Sequence, residues 1–268
     1  MKKIIFMLIT LIVALSVFGT VVITYATSPH RTYMLLTPTP TATVSMTIPE
    51  SSMRDTTPQP QVSEAIFSQG DGSQPEIALT FDDGPDLTYT PQVLSILQQY
   101  NVHATFFTVG DHVQAYPGLT QQEYANGNIV GNHSWDHPDL TTLSADDIHA
   151  QLSNTSDVIQ SATGVRPVFF RPPYGAYNYQ TLNQASSLGL TTVTWSVDTE
   201  DWQRPGSSAI IDTVLTDAQN GSVILMHDGG GDRSETVEAL PTIITKLQEK
   251  GFRLVTLQQL VTDSQNDK

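Results

Sequence analysis

Residues 77–85 read IALTFDDGP, an apolar stretch that runs into two adjacent aspartates and a glycine-proline pair. Residues 77–81 have the length and apolar character of a strand that is buried on both faces. Asp82 and Asp83 follow where that strand would end. Two carboxylates this close repel each other and need a positively charged partner, for which a metal ion is one candidate. The stretch therefore predicts a buried parallel strand with a polar site at its carboxyl end.

Similar apolar segments recur along the rest of the chain, with amphipathic segments between them. This alternation predicts an α/β fold of parallel strands joined by helical crossovers. About seven repeats, without a glycine-rich dinucleotide fingerprint, favour an incomplete (β/α) barrel over an open doubly wound sheet. The predicted strands are 77–81, 103–109, 128–132, 168–171, 191–197, 222–227 and 252–256, and the predicted helices begin at Thr90 and Ser144 or cover 178–188, 208–219 and 235–250.

The amino-terminal part differs from the rest in composition. Two lysines precede residues 4–23, which carry no charge and as a helix would be about 30 Å long, the thickness of a bilayer core. We expect residues 1–26 to form an uncleaved membrane anchor with its start in the cytoplasm, and the alternative is a signal peptide cleaved near Ala26. Residues 27–74 are rich in Thr, Ser, Pro and Gln and predict a disordered linker. Residues 75–268 then form one exported domain.

Composition limits the possible partners and metal ligands. The chain contains no cysteine, so disulfides and thiolate metal sites are excluded. Residues 75–268 hold eight basic and twenty-three acidic side chains and account for the whole net charge of −15. An acidic domain disfavours nucleic acid as a partner and tolerates a neutral or cationic polymer. We expect a monomer that acts on a polysaccharide or oligosaccharide.

His133 and His137 are four residues apart in the segment HSWDH, which follows the third predicted strand. On one helical turn both imidazoles would face the same way and could bind one ion. With Asp83 they make a set of two histidines and one carboxylate, which leaves a position open for water as in catalytic metal sites. We expect Zn²⁺, with Co²⁺, Ni²⁺ or Mn²⁺ as alternatives. The other histidines, among them His112 and His149, are expected to have no role.

Asp82 then remains as a candidate general base, although an Asp-Gly-Pro turn can also use such a residue as a turn cap. Arg171, in the segment RPPYG after the fourth predicted strand, offers a charged fork that could orient Asp82 or form an ordinary ion pair. Pro172 and Pro173 lack an N–H, so the Tyr174 amide is the first free donor after Arg171 and suits a developing oxyanion. A rigid connecting loop is the simpler interpretation of the same residues.

The segments DTEDW at 198–202 and LMHD at 225–228 supply the remaining candidates. His227 ends an apolar strand and is either a core histidine or, beside the proposed site, a general acid for the leaving group. We expect Asp198 to orient that imidazole. Trp202 is expected to offer a flat wall for a sugar ring, and Leu225 is assigned to substrate binding together with Tyr174.

Taken together, these segments resemble a known family. TFDDGP, HSWDH, RPPYG, DTEDW and LMHD match, in order, five motifs of the polysaccharide deacetylases, which are carbohydrate esterase family 4 and carry the NodB homology domain. The resemblance covers about residues 76–262 and implies a distorted, incomplete (β/α) barrel. It implies Asp82 as the catalytic base, His227 as the general acid, and Asp83, His133 and His137 as the metal ligands.

The same resemblance implies that Arg171 orients the base, that the Tyr174 amide binds the oxyanion and that Asp198 lies near the acid. The implied reaction is metal-dependent hydrolysis of a linear amide, the N-acetyl group of N-acetylglucosamine units in peptidoglycan or a chitin-like oligomer. An O-acetyl esterase such as an acetylxylan esterase, a small-molecule amidase and an inactive sugar-binding module are the alternatives. The segment GNIVGN at 127–132 departs from the family's usual Gly-His-Glu-Ile-Gly-Asn without changing a proposed ligand.

Overall fold

A computed structural model of the protein describes residues 66–266, in which parallel strands alternate with helices. The strands are β1 (Glu76–Asp82), β2 (Thr105–Thr108), β3 (Ile129–Asn132), β4 (Phe169–Phe170), β5 (Thr191–Thr192), β6 (Val197–Asp198), β7 (Val223–His227) and β8 (Arg253–Val255). The α-helices are α1 (Thr90–Gln99), α2 (Gly110–Ala115), α3 (Pro117–Ala125), α4 (Ala145–Thr163), α5 (Tyr179–Ser187), α6 (Ser207–Asp217), α7 (Ser234–Glu249) and α8 (Leu257–Asn266).

The strands form one sheet in the order β5-β4-β3-β2-β1-β7-β6, and β8 also pairs with β1. The two edge strands, β5 and β6, follow each other closely in the chain. In this short stretch β5 pairs with β4, and β6 pairs with β7. Between β5 and β6, the Val193 N–H donates to the Phe170 carbonyl (2.8 Å) and the Ser196 N–H to the Val223 carbonyl (3.0 Å). The sheet therefore closes into a distorted, incomplete barrel, as predicted. The single strand predicted at 191–197 is in fact the two short strands β5 and β6.

Most helices begin and end where the sequence indicates. Ser144 caps α4 by accepting a hydrogen bond from the Asp147 N–H, and Gly164 ends that helix with a left-handed backbone (φ 81°). The helices α2, α3 and α8 were not predicted. In α2 and α3 the reason is visible, because α2 has only six residues and α3 does not segregate its apolar side chains on one face.

The central strand β1 separates two apolar clusters, because its alternate side chains point to opposite faces of the sheet. Ile77, Leu79 and Phe81 pack outward against α1 and α7. Ala78 packs inward with apolar residues of β2, β4 and β7. Asp82 shares the inward face of Ala78 and ends the strand, so its carboxylate lies at the mouth of the barrel.

The domain begins earlier than predicted. Phe67 pairs with Val193, and Gln69 pairs with Ser222, beside the stretch that closes the barrel. Residues 66–74, which we had assigned to the linker, thus belong to the domain, because the apolar Phe67 side chain packs against the inner cluster. The predicted anchor at residues 4–23 lies outside the described residues. Within residues 66–266, no helix combines the length and the apolar composition that a bilayer crossing requires.

Candidate active site

The carboxyl ends of the strands surround a cleft of about 630 Å³, at the place where parallel barrels gather their chemistry. Every predicted site residue except Arg171 lines this cleft, and Arg171 contacts Asp82 from behind. The predicted residues in the cleft wall are Asp82, Asp83, His133, His137, Tyr174, Asp198, Trp202, Leu225 and His227.

Asp82 is held by a fully buried arginine. Arg171 Nη1 donates to Asp82 Oδ1 (2.7 Å) and to Thr80 Oγ1 (2.8 Å). The guanidinium carbon of Arg171 also lies 4.2 Å from the centroid of the Phe107 ring. The guanidinium group is therefore held by stacking on this ring as well as by its hydrogen bonds. Asp82 Oδ2 lies 3.7 Å from His133 Nε2. One carboxylate oxygen is thus occupied by the arginine, and the other lies beside the histidines.

Asp83, His133 and His137 bring one ligand atom each to a common point, with all three atoms within 4.8 Å of one another. Asp83 Oδ1 lies 3.4 Å from His133 Nε2 and 3.3 Å from His137 Nε2. This oxygen is buried and makes no hydrogen bond with the described residues. Because buried polar atoms are rarely left without a partner, an orphaned carboxylate oxygen facing two imidazole nitrogens fits a divalent metal ion.

A loop, and not the helical turn that we predicted, presents the two histidines. Ser134 and His137 have left-handed backbones (φ 67° and 58°), which interrupt any helical path between the two ligands. His133 Nδ1 donates to the Arg171 carbonyl (2.7 Å), which leaves Nε2 to face Asp83. The His137 ring packs edge-on against the Tyr174 ring, with centroids 4.6 Å apart. Both imidazoles are therefore oriented by contacts outside the ligand set.

The charges of this cluster shift the pKa values of its members. Burial alone would raise the pKa of Asp83, but the contact with His133 and the charges of His133, His227 and His137 lower it far below its ordinary value. Burial also lowers the pKa of His137, and the charge of His133 lowers it further. These directions favour an ionised Asp83 and a neutral His137, which are the states in which they bind a metal, whereas the charges of Asp82 and Asp83 outweigh burial and raise the pKa of His133.

His227 lies beside Asp82, because the two residues are register partners in the neighbouring parallel strands β7 and β1. His227 Nδ1 donates to Asp201 Oδ1 (2.6 Å), and its backbone N–H donates to Asp201 Oδ2 (2.8 Å). Thr236 Oγ1 donates to the same Oδ2 (2.6 Å). Asp201 thus accepts three hydrogen bonds and fixes the imidazole, which leaves His227 Nε2 as the nitrogen that can give up a proton.

The prediction that Asp198 orients His227 is wrong. Asp198 is exposed at the rim of the cleft, where its Oδ1 accepts a hydrogen bond from the Glu200 N–H (2.9 Å). The chain then enters a 3₁₀ turn through the left-handed Glu200 (φ 51°), and this turn directs Asp201 into the interior. The segment DTEDW contains two aspartates three residues apart, and only the turn decides which of them reaches the histidine.

The Asp201–His227 pair shifts both pKa values. Burial alone would lower the pKa of His227, but the hydrogen bond and charge of Asp201, together with the charges of Asp82 and Asp83, raise it above its ordinary value. Burial alone would raise the pKa of Asp201, but its contacts with His227 and Thr236 lower it. A raised pKa favours the protonated imidazole, which suits a general acid.

Aromatic side chains stand at the rim of the cleft. Tyr174 has a left-handed backbone (φ 58°), and its side chain is 70% exposed. Trp202 is 55% exposed, and Leu225 is buried and lines the same cleft. Large aromatic faces that remain in water beside a polar cleft suit the apolar faces of sugar rings.

His112 and Arg233 are among the cleft residues that were not predicted. His112 Nδ1 lies 2.9 Å from the Asp83 carbonyl oxygen, although His112 had been expected to have no role. Arg233 is buried and donates to the carbonyls of Gly229 (2.7 Å) and Gly230 (3.1 Å) in the loop after β7. Neither residue carries a sequence signal, because the contact of His112, in the short helix α2, and that of Arg233, in the loop before α7, both depend on the folded barrel.

Comparisons with known proteins agree with the fold. A family model described as polysaccharide deacetylase matches residues 69–193. The chain is 44% identical to the peptidoglycan-N-acetylglucosamine deacetylase of Listeria monocytogenes over 69% of this chain, and spans only 38% of that relative. It is 38% identical to the chitooligosaccharide deacetylase of Rhizobium leguminosarum bv. trifolii over 74% of this chain and 97% of that relative. A crystal structure of the Bc1960 peptidoglycan N-acetylglucosamine deacetylase superimposes with a TM-score of 0.71 at 38% identity, covering 73% of this chain and 92% of the other.

Proposed function

The chain belongs to the polysaccharide deacetylase family, and from that premise we propose that it hydrolyses N-acetyl groups on N-acetylglucosamine units of a polysaccharide outside the cytoplasm, releasing acetate. The proposed polymer is peptidoglycan or a chitin-like oligomer, the classes for which its relatives are named. The observation that carries the proposal is the meeting of a carboxylate base, a three-residue ligand set and an imidazole acid in one cleft.

Asp83, His133 and His137 are the residues that would hold the metal. We propose Zn²⁺, with Co²⁺, Ni²⁺ or Mn²⁺ as alternatives that the same two imidazoles and one carboxylate accept. The buried Asp83 Oδ1, which has no hydrogen-bond partner among the described residues, supports a metal ion at this position. When bound, such an ion acts as a Lewis acid and lowers the pKa of water toward about 7.

The protein's own groups carry the proton transfers. Asp82 takes a proton from the attacking water as its oxygen bonds to the acetamide carbonyl carbon, and Arg171 keeps the carboxylate in place. The Tyr174 N–H donates to the oxygen of the tetrahedral intermediate. His227 Nε2, oriented through Asp201, gives its proton to the nitrogen as the carbon–nitrogen bond breaks. The products are acetate and a glucosamine unit with a free amine.

The sugar chain is proposed to lie across the aromatic rim, with Trp202 and Tyr174 against sugar faces and Leu225 in the floor. Asp198 faces the same cleft and is given no step in the reaction. Residues 4–23 are proposed to anchor the protein in the cell membrane with the catalytic domain outside, and secretion after cleavage near Ala26 is the alternative. We propose a monomer without a nucleic-acid partner.

The replacement Asp82→Asn tests the base assignment. It keeps the size of the side chain and removes the proton acceptor, so acetate release from N-acetylglucosamine oligomers should fall to background while bound metal stays near one ion per chain. Asp157→Asn is the matched control, because Asp157 pairs with Arg166 on the surface (2.7 Å), away from the cleft. Full activity of D82N would show that Asp82 is not the base.

A substrate panel separates the proposed reaction from its alternatives. Acetate release is measured from chitin oligomers, peptidoglycan and acetylxylan, with metal content determined on the same samples. Release from acetylxylan alone would identify an O-acetyl esterase. A protein that holds its metal and releases acetate from none of the three would be a sugar-binding module.

A further inference from the structure

Asp83 holds its place in the ligand set with a left-handed backbone (φ 72°). A residue with a side chain adopts this conformation only at a cost in free energy, and keeps it where the surrounding structure enforces it. Its own Oδ1 makes no hydrogen bond with the described residues and so contributes no such restraint. The restraint must therefore act on the backbone of Asp83 or its neighbour.

Two consecutive carbonyls at this turn accept hydrogen bonds from Val109, which joins β2 to α2, and from His112 in the first turn of α2. His112 Nδ1 lies 2.9 Å from the Asp83 carbonyl oxygen. The Val109 N–H donates to the Gly84 carbonyl (2.9 Å). Because a carbonyl can only accept, the His112 nitrogen at this contact carries the hydrogen. The two peptide planes that follow Asp83 are thus fixed by a single short segment.

The loop after β7 also packs against Asp83. Gly229 packs against the Asp83 carbonyl and Gly230 against the Asp83 carboxylate so closely that neither position has room for a Cβ atom. The Asp83 carbonyl is therefore contacted both by this glycine loop and by His112. Backbone atoms of the glycine loop block movement of Asp83 toward that loop, and the His112 hydrogen bond holds the carbonyl.

We propose that His112 is a positioning residue of the metal site: by holding the Asp83 carbonyl, it aims the Asp83 carboxylate at His133 and His137. This inference rests on the proposed metal-dependent function. Among the described residues, His112 is not in the cluster that could hold the ion, so it acts through Asp83. Partners of this kind typically contribute about 10- to 100-fold to metal affinity.

The test compares two replacements of His112 in the full chain. Leucine has a similar size and no donor, whereas asparagine can place its Nδ2 near the position of the histidine Nδ1 and donate to the same carbonyl. The His112 side chain is 41% exposed, so neither replacement leaves a buried cavity. Zn²⁺ affinity of the metal-depleted proteins is measured by competition with a chelator. H112L should bind Zn²⁺ about 10- to 100-fold more weakly than the wild type, and H112N should stay close to it.

His149→Leu is the matched control, because His149 lies on α4 and contacts Gln184 (3.2 Å) outside the cleft. Thermal unfolding of the metal-free proteins detects a folding defect, and H112A replaces H112L in the comparison should that variant not fold. Unchanged affinity in H112L overturns the proposal. Equal losses in H112L and H112N also overturn it, because the effect would then not depend on the donor. A wild type that binds no divalent ion contradicts the metal site itself, and the positioning role with it.

Discussion

Asp201→Asn should move the pH dependence of the proposed reaction through His227. Asp201 is buried, and its Oδ1 accepts the His227 Nδ1–H at 2.6 Å, so its negative charge stabilises the protonated imidazole. Asparagine keeps the shape and removes that charge. The pKa of His227 should therefore fall, and the protonated acid should be lost at a lower pH. The alkaline limb of kcat against pH should move in the same direction.

The size of this shift follows from the geometry. Two unit charges about 4 Å apart interact by about 4 kcal/mol at an effective dielectric constant of about 20, which corresponds to about three pKa units. Asp82 and Asp83 still favour the imidazolium, so we expect a fall of about one to three units. Asparagine also has one acceptor atom where Asp201 accepts from His227 and Thr236 with two oxygens. If the asparagine oxygen takes the place of Oδ1, the two hydrogen bonds that Oδ2 accepts, from the His227 N–H and from Thr236, lose their acceptor, at a cost of about 1–3 kcal/mol each in stability.

The assay is acetate release from N-acetylglucosamine oligomers across pH, together with an NMR titration of the His227 ring. Asp198→Asn is the matched control, because Asp198 is exposed and does not contact the imidazole in the structure. It should leave the alkaline limb and the His227 titration in place. A normal alkaline limb in D201N, or a shift in D198N in its place, would refute the assignment of Asp201.

Three further predictions test the metal, the base support and the rim. Chelation with EDTA should abolish acetate release and lower the melting temperature, because an ion present at about 1,000 times its Kd stabilises the folded state by about 4 kcal/mol. Activity that persists without metal would contradict the proposed metal site. Arg171→Met leaves the buried Asp82 without its arginine partner and should cost about 3–5 kcal/mol by urea unfolding. Arg166→Met, at an exposed ion pair, should cost no more than about 1 kcal/mol, and similar losses in the two variants would rule out a special role for the buried pair. Trp202→Ala should raise KM for oligomers several-fold with little change in stability, because the side chain is exposed; an unchanged KM would remove Trp202 from the substrate surface.

Much of this fold can be predicted from sequence because the strands of a barrel covered by helices are buried on both faces and mostly apolar. In β1 all seven residues are buried, and Asp82 ends the run. Polar residues that follow such strands must meet at one end of the barrel, so the positions of Asp82, His133 and His227 could be anticipated without coordinates. The strand 191–197 was harder, because one short stretch serves two different edges of the sheet.

What could not be predicted depends on backbone turns with left-handed residues. The choice between Asp198 and Asp201 is made by the turn after Glu200, and both aspartates are equally good acceptors by residue type. The predicted helical turn between the two histidine ligands failed for the same reason, because Ser134 in that loop is left-handed. His112 was missed because its role depends on one hydrogen bond to a backbone carbonyl. Every residue has such a carbonyl, so the sequence does not show which of them the histidine contacts. Such contacts appear only once the loops are folded.

The stretch that closes the barrel has an evolutionary consequence. The Thr194 carbonyl accepts a hydrogen bond from Arg171 Nη2 (3.0 Å), while the adjacent Trp195 lines the cleft. A mutation here that made room for a bulkier sugar would also disturb the arginine behind Asp82. Relatives that change their substrate are therefore expected to vary the outer rim around Trp202 first, and to leave this inner stretch alone unless a compensating change keeps the arginine in place.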